Sequence, residues 1–253
     1  SIWARPLFAT APSLGVAASF GVLGASTVTN TGPTVVAGDL GVSPGSAVTG
    51  FPPGIVGGTI HAGDAVAAQA QADATTAYNN LAGQACDTDL TGQDLGGLTL
   101  TPGVYCFNTS AQLTGALTLD GQGDPNAVFV FQTGSTLTSA SASSVVMING
   151  ASECNVFWQV GSSATLGTGT AFVGNILALA SNTLSTGASL IGRAIALTGA
   201  VTMDTNNISR LCTLAEPTST PTTTDTPVPP TSTPTATATP VDTSTPTSTA
   251  TPT

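Results

Sequence analysis

The chain has 253 residues, of which 41% are hydrophobic and only 6% are charged. Three basic residues against 13 acidic ones give a formal net charge of −10, so the Lys/Arg clusters that bind nucleic acids or anionic membranes are missing. No apolar run approaches the roughly 20 residues of a membrane-spanning helix. We therefore expect neither a nucleic-acid partner nor a membrane span.

The N-terminal part of the chain divides into two segments. Residues 1–14 have no clear period, and we interpret them as an N-terminal arm that is either flexible or added as an edge strand. From Gly15 onward, short Val, Leu and Thr segments alternate with Gly, Asn and Pro, a pattern typical of strands and turns. We predict that they form the first coil, or most of one, of a β-rich domain over residues 15–215.

Residues 64–82 are predicted to form a long helix. Asp64 is a suitable N-cap, no Gly or Pro interrupts the segment, and Gly83 follows it. The predicted apolar face contains Val66, Ala70, Ala74, Ala77, Tyr78 and Leu81. Because an Ala-rich helix buries little surface alone, we expect it to dock on strands. The candidates are AVFVFQ, NVFWQV and NILALA, whose consecutive apolar residues suit strands that are covered on both faces.

The C-terminal half repeats one pattern, an apolar strand, a corner of small residues and a Thr-Leu pair. Copies begin at Val128, Val156 and Ile176, and a degenerate copy begins at Ala194. The Leu residues of the last two clear copies are 184 − 166 = 18 positions apart, and a period near 20 without a helical pattern predicts a β-solenoid. The predicted stacked core contains Leu137, Leu166, Leu184, Phe129 and Phe157.

Outward positions of these repeats are predicted to form ladders of Thr and Ser, one rung every 4.8 Å or so. Aligning the Leu residues places Thr136, Thr165, Thr183 and Thr202 in one column. The neighbouring column then holds Thr138, Gly167, Ser185 and Asp204, and Thr168 and Thr186 lie near the following corner. Exposed sheets usually carry Lys and Glu, and the first three of these rungs carry no charge.

Two interpretations of the ladder remain open. Thr is a favourable residue on any strand surface, so the ladder can be purely structural. Alternatively, a rigid array of methyl and hydroxyl groups orders the water above it, because methyls oblige water into cages and hydroxyls hold some of those waters by hydrogen bonds. An ordered water layer of this kind can merge with an ice lattice.

Candidates for catalysis are few, since the chain has no Lys and one His. His61 is either a general base or a hydrogen-bonded residue at the junction of a strand and the helix, and we favour the second. Asp87, Asp89 and Asp94 are either a calcium loop or turn acids, and their spacing fits neither an EF-hand nor a calcium-binding solenoid turn. We expect no enzyme activity, no metal site and no cofactor.

The four cysteines include no closely spaced pair that would indicate zinc. We expect two disulfides in an oxidising compartment, Cys86 with Cys106 and Cys154 with Cys212, although four cysteines permit three connectivities. Buried free thiols are the alternative.

Residues 216–253 consist almost entirely of Pro, Thr and Ser. This composition forms no core and favours an extended chain, so we interpret the segment as an O-glycosylated stalk or a plain spacer. Either version would hold the preceding domain away from a cell surface.

The order of several segments resembles that of the microbial ice-binding (antifreeze) proteins. The similar segments are STVTNTGPTVVAGDLGVSPG, GQDLGGLTLTPGVYCF, AVFVFQTGSTLT, CNVFWQVGSSATLGTGTAFVGNILA and GRAIALTGAVTMD, and the similarity covers about residues 15–212. It implies a mainly β protein, a discontinuous right-handed three-faced β-solenoid (β-helix) with one long α-helix packed alongside. It further implies secretion and ice binding through one flat face rich in Thr, Ser and Ala, without cofactor or catalysis.

Two functional hypotheses follow. The first is a secreted, cell-surface attached ice-binding domain whose partner is ice or ordered water. Its expected site residues are Thr136, Thr138, Thr165, Thr168, Thr183, Ser185, Thr186 and Thr202. The second is a structural or adhesive surface protein that assembles with itself into a filament, through residues 1–14 or through the ends of its sheets.

Overall fold

A computed structural model describes residues 9–210 of the chain. Within that range the chain forms 22 short strands, the α-helix α1 (Ala65–Ala82) and two 3-10 helices, Gly15–Ser19 and Glu153–Asn155. The strands stack in coils, and each coil contributes to three rows in which neighbouring strands pair in parallel. The rows are the three faces of a solenoid.

The three faces are named here by what covers or composes them. The helix-covered face contains β8 (Thr88–Asp89), β10 (Gly103–Phe107), β13 (Phe129–Thr133), β16 (Val156–Val160), the second halves of β18 (Ala171–Ala178) and β20 (Ser189–Ala196), β1 (Phe20–Gly24), β4 (Asp39–Val42) and β7 (Ile60–Ala62). The threonine face contains β11 (Ala111–Leu113), β14 (Leu137–Ser139), β17 (Ala164–Leu166), β19 (Asn182–Leu184), β21 (Val201–Asp204), β2 (Thr27–Thr31) and β5 (Ala47–Thr49). The mixed face contains β9 (Thr99–Leu100), β12 (Ala116–Asp120), β15 (Ser144–Ile148), the first halves of β18 and β20, β22 (Asn207–Ser209), β3 (Val35–Val36) and β6 (Ile55–Val56).

The coils are not stacked in chain order. Strand β1 pairs with β20 on one side and with β4 on the other, so the first coil of the chain lies between its last and its second. Strands β2 and β3 repeat this arrangement on the other two faces. Helix α1 carries the chain from β7, at one end of the stack, to β8 at the other. The first coil and the discontinuous stacking implied by the resemblance are thereby confirmed.

Helix α1 begins and ends as predicted. The carboxylate of Asp64 accepts a hydrogen bond from the Ala67 amide, and Gly83 is the C-cap. Its buried side chains pack on Val130, Phe157 and Leu177, which belong to the three predicted platform strands. The buried residues of the helix are Ala67, Ala70, Ala74, Ala77 and Leu81. The prediction for Val66 was wrong, because the face is rotated so that Ala67 is inside and Val66 is 42% exposed.

The interior of the solenoid contains stacked aromatic rings. The ring centroids of Phe131 and Trp158 are 3.9 Å apart, and Trp158 lies 4.9 Å from Phe172. Phe129 also lies in this core, as predicted. Phe157 does not, since its side chain points to α1, and that expectation was wrong. Both faces of its strand are apolar, so alternation in the sequence could not distinguish inside from outside.

The bend between the mixed and helix-covered faces depends on glycine. Gly174 and Gly192 are paired in adjacent rungs at the middle of β18 and β20, with φ values of 115° and 147°. A Cβ on Gly192 would lie 2.0 Å from the Gly174 carbonyl oxygen. Only glycine permits both this backbone conformation and this close approach. The two long strands therefore turn the corner without an intervening loop.

The predicted disulfide between Cys86 and Cys106 is present. The predicted partner of Cys154 is Cys212, which lies outside the described residues, as do residues 1–8 of the arm and the whole 216–253 segment. The rest of the arm packs on the helix, where Ala9 and Leu14 are buried. The described part of the chain contains no helix with both the length and the hydropathy to cross a membrane.

Replacing Asn182 with valine is expected to raise the free energy of unfolding by about 1–2 kcal/mol. The Asn182 side chain is fully buried between Ala164 and Val201, and neither its amide nitrogen nor its amide oxygen has a hydrogen-bond partner. Urea unfolding measures the change. Asn175→Val is the matched control, because Asn175 is equally buried but hydrogen-bonded, and this variant should be less stable than the parent. Parallel losses in both variants would contradict the expectation.

Candidate functional site

The threonine face presents a column of six threonines, one in each of six neighbouring strands. Strand pairing aligns Thr138 with Thr165, then Thr183, Thr202, Thr29 and finally Thr49, and Gln112 extends the column at the other end. Seven rungs at the usual strand spacing make the column about 29 Å long. We call this set the threonine column.

The register of β14 differs from the predicted one. Leu137 pairs with Ala164 rather than with Leu166, so Thr138, and not Thr136, lies in the column with Thr165. The corners explain the difference. Three residues separate β13 from β14 and also β16 from β17, so equal corner lengths set the register. Leu137 and Ser139 of β14 both point inward, so either of them could be level with Leu166. The sequence alone could therefore not exclude a shift of β14 by two residues.

The hydroxyl groups of the column are largely free. Those of Thr138, Thr165 and Thr183 make no hydrogen bond to any residue within 9–210, whereas Thr29 donates to Thr202 over 3.4 Å. Their hydrogen-bonding capacity is therefore left to water. The strands of this face contain one charged residue, Asp204, so little competes with ordered water along the column.

The other predicted site residues flank the column. Thr136 lies two residues before it, towards the helix-covered face, and donates to the Ser110 hydroxyl over 2.8 Å. Ser185 follows Leu184 on the opposite flank. Thr168 and Thr186 lie exposed at the corner between the threonine and mixed faces. All eight predicted residues are thus on the threonine face or its corners. Thr165, Thr183 and Thr202 share one column as predicted, and Thr138 occupies the place predicted for Thr136.

Asp204 lies at the edge of the threonine face, opposite Thr31. Its carboxylate accepts hydrogen bonds from the hydroxyls of Thr186 and Thr205. The charge is therefore held towards the corner and away from the central column.

The mixed face is the other exposed face, and its strands also contain a single charged residue, Asp120. Its outward residues vary from rung to rung, however. One column reads Ala116, Ser144, Ala171, Ser189, Asn207, Val35 and Ile55. The large apolar members Val35 and Ile55 are 44% and 61% exposed. Regular repetition of one hydroxyl-and-methyl side chain is therefore confined to the threonine face.

The titratable groups considered for chemistry have structural roles. The His61 ring nitrogen Nδ1 donates a hydrogen bond to the Asp64 carboxylate over 2.7 Å at the start of α1, the arrangement favoured from the sequence. Asp89 and Asp94 accept hydrogen bonds from backbone amides two residues further on, as turn acids do. Among residues 9–210, no three His, Cys, Asp or Glu side chains converge on one point where a metal ion would fit.

Stability is expected to fall in acid. Hydrogen bonds from Thr91 lower the pKa of Asp89, and the Gln122 amide and Asn149 lower that of Asp120. Burial raises the pKa of Asp94, but the Gly96 amide and Thr114 outweigh it and the net shift is downward. A carboxyl group whose pKa is lower in the folded state than in the unfolded state stabilises the fold at pH values above its unfolded pKa of 3.8. This contribution is lost as the pH falls through the pKa of the folded state.

Thermal unfolding measured across this range tests the expectation. The midpoint should be nearly constant from neutral pH down to about pH 5 and should decrease below pH 4. A decrease that begins between pH 7 and pH 5 would show that a group other than these aspartates controls stability.

Sequence reasoning missed Gln112, Thr29 and Thr49. Thr29 and Thr49 belong to the first two coils, which are distant in sequence from the repeats but stack directly on their last rung. The alternating threonines of STVTNT were the one signal that could have placed Thr29 on an exposed strand face.

Comparison with known proteins agrees with this architecture. Residues 22–209 match the family described as Ice-binding-like. A Nostoc protein named "Ice-binding protein" is 66% identical over 200 residues, covering 79% of this chain and 74% of its own. "Ice-binding protein 1" of Shewanella frigidimarina is 37% identical over 79% of this chain, which spans about a quarter (26%) of that longer protein.

A solved structure supports the same assignment. The crystal structure of an ice-binding protein from an Antarctic biological consortium superposes with a TM-score of 0.79 at 47% identity, covering 83% of this chain and 95% of the other. Because the family match spans most of the chain and the Nostoc relative is closely similar, the protein belongs to the Ice-binding-like family.

Proposed function

We propose that this chain is an extracellular ice-binding protein and that the threonine face is the surface that adsorbs to ice. The threonine column carries the proposal, because six identical side chains repeat at one rung spacing with most of their hydroxyls free. The names of the relatives, each called an ice-binding protein, support the activity.

The proposed mechanism relies on water that is ordered before ice is met. Threonine methyls favour a cage-like first hydration layer, and the free hydroxyls fix some of its molecules. Apart from Thr49 on the terminal strand β5, the column threonines lie on strands that are hydrogen-bonded on both sides, so little conformational entropy remains to be lost when ice is bound. Charged side chains would bind water more strongly and disturb the layer, and the strands of this face carry only Asp204 at the edge.

Thermal hysteresis and ice recrystallisation of the full chain test the activity. We expect a gap between melting and freezing and faceted ice crystals, while an unrelated acidic protein at the same concentration leaves crystals round. Round crystals at high concentrations of the chain would refute ice binding, whichever face is involved.

An extracellular location is part of the proposal. The Cys86–Cys106 disulfide suits an oxidising compartment. The Pro/Thr/Ser segment 216–253 suits a stalk that attaches the domain to a cell surface and carries O-linked glycans. Intact-mass measurement of the protein secreted by its native host would detect such glycans as added hexose masses.

Self-association is the second candidate function, and one end of the stack favours it. Strands β5, β6 and β7 close that end, and residues 47–63 contain no Asp, Glu, Lys or Arg. Ile55 and Ile60 are 61% and 43% exposed there. Analytical ultracentrifugation distinguishes the candidates, because a filament-forming protein would sediment as species that grow with concentration and an ice-binding monomer would not.

A further inference from the structure

A small recess lies outside both exposed faces. It opens where the C-terminal end of α1 meets the corner between the helix-covered and threonine faces, and its volume is about 360 Å³. Tyr78 from the helix, Asn108 from the corner, and Gln132 and Gln159 from β13 and β16 line it, with Gly134 and Gly161 beside them. A volume of this size lies within the usual range for small-molecule sites, about 300–1,000 Å³.

The two glutamines of the recess are in different states. The Gln132 side-chain nitrogen donates to the carbonyls of Leu81 and Gln84 over 2.7 and 2.8 Å, which fixes the end of α1. Gln159 is only 7% exposed, yet its amide makes no hydrogen bond to any residue that the structure describes. The hydroxyl of Tyr78 likewise has no partner within residues 9–210.

The amide atoms of Gln159 are not among the fully buried polar atoms that lack a partner, so they remain open to the recess. The Gln159 amide lines the recess, and a molecule seated there would supply the missing donor and acceptor. The next residue in the same outward column is Leu177, paired with Gln159, so an apolar side chain is accommodated one rung away. Packing against the helix therefore does not require glutamine at this position.

The corner glycines keep the recess open. A Cβ on Gly161 would lie 2.5 Å from the Gly134 carbonyl oxygen, and a Cβ on Gly134 would lie 2.7 Å from that of Asn108. Adjacent corners are therefore stacked too closely for side chains. On the following rung the corner residue is Leu179, whose side chain is 41% exposed.

The lining selects the chemistry of the occupant. No charged side chain lines the recess, so no group there would compensate the charge of an ionic ligand. Three amide side chains and the Tyr78 hydroxyl offer hydrogen-bond donors and acceptors, and the Tyr78 ring adds an apolar surface. A sugar matches both, because it carries neighbouring hydroxyl groups on a ring that has an apolar face. We propose that the recess binds a small neutral sugar through the Gln159 amide and the Tyr78 hydroxyl. This site is separate from the threonine face.

NMR titration of the ¹⁵N-labelled full chain with glucose and trehalose tests the site, with glucuronate as the charged counterpart. The neutral sugars should shift the side-chain amide signals of Gln159 and Asn108 in a saturable manner, and glucuronate should not. Titration with a soluble glucan distinguishes a free sugar from the end of a polysaccharide. Absence of saturable shifts with every neutral sugar, at concentrations that would saturate millimolar binding, would overturn the proposal.

Two variants localise the binding. Gln159→Leu copies the neighbouring Leu177 and should weaken sugar binding about tenfold or more, because both hydrogen bonds of one amide are lost. Tyr78→Phe removes one hydroxyl only and should weaken binding to a smaller extent. Both should unfold at temperatures close to that of the parent, and thermal hysteresis should be unchanged. Unaltered sugar affinity in both variants would place the binding elsewhere and refute the assignment.

Discussion

Replacing Thr183 with tyrosine is expected to weaken adsorption to ice about tenfold or more, equivalent to roughly 1.4 kcal/mol of adsorption free energy, and thereby to reduce thermal hysteresis strongly. Thr183 lies inside the threonine column, between Thr165 and Thr202, so a ring projecting there would hold ice away from the neighbouring rungs as well. Exposed tyrosine is well tolerated in strands, and the fold should be retained. Thermal hysteresis at matched protein concentrations, together with circular dichroism, measures both effects.

Ala171→Tyr is the matched control on the mixed face. Ala171 is exposed and lies between Ser144 and Ser189, in an equally central position of the mixed face. If the threonine face adsorbs to ice, this variant should retain nearly all activity. The reverse result, with Ala171→Tyr inactive and Thr183→Tyr active, would move the site to the mixed face, and loss in both variants would indicate that ice contacts the two faces together.

The parts of the fold that the sequence predicted correctly are those determined locally. Asp64 and Gly83 delimit α1 because an N-cap and a glycine C-cap act within one turn of the helix they end. The strands beneath the helix were recognisable because covering both faces requires apolar residues at consecutive positions. Neither inference needs to know which coil lies beside which.

Register and coil order could not be read in the same way. Leu137 and Ser139 both point inward, and only the length of the corner before β14 decides which of them is level with Leu166. The position of Thr29 depends on a contact between the first and last coils, about 170 residues apart in sequence, for which periodicity carries no signal. The column was therefore predicted with too few rungs and with one threonine misplaced.

A buried arginine, which no sequence pattern reveals, holds the first part of the chain against the solenoid. Arg193 is fully buried in β20, at the bend that follows Gly192. Its guanidinium donates twice to the Ala18 carbonyl, over 3.2 and 2.8 Å, and once to the Asn175 side-chain oxygen over 2.7 Å. Burial, together with the charge of Arg210, lowers the pKa of Arg193 to about 10, so it is still charged at neutral pH.

No carboxylate among the described residues lies within salt-bridge distance of Arg193, since the one contact of that kind joins His61 and Asp64. Two neutral acceptors, the Ala18 carbonyl and the Asn175 side-chain oxygen, therefore compensate the desolvated charge of Arg193. They can do so because the planar guanidinium directs its N–H groups to both acceptors at once. Ala18 lies in the 3-10 helix Gly15–Ser19. In the same helix, the Val16 amide donates to the Asp73 carboxylate of α1 over 2.7 Å. Arg193 thus connects the solenoid to the segment that fixes the helix.

We expect Arg193→Lys to destabilise the protein more than Arg193→Met. Lysine retains a buried charge but cannot span both acceptors, so it should cost about 3 kcal/mol or more, since hydrogen bonds to charged groups contribute roughly 1.5–3 kcal/mol each. Methionine removes the charge and its desolvation, fills a similar volume and leaves one amide oxygen of Asn175 unpaired, which should cost about 1–3 kcal/mol. Urea unfolding of both variants gives the two values.

The order of the two losses is the decisive result, because it separates geometry from charge. If charge alone mattered, lysine would preserve most of the stability and methionine would not, and that outcome would refute the role assigned to the guanidinium fork. Hydrogen exchange locates the effect. The amides of residues 15–19 should lose protection in the lysine variant, while those of β14, β17 and β19 on the threonine face should keep theirs, because no hydrogen bond of Arg193 reaches these strands.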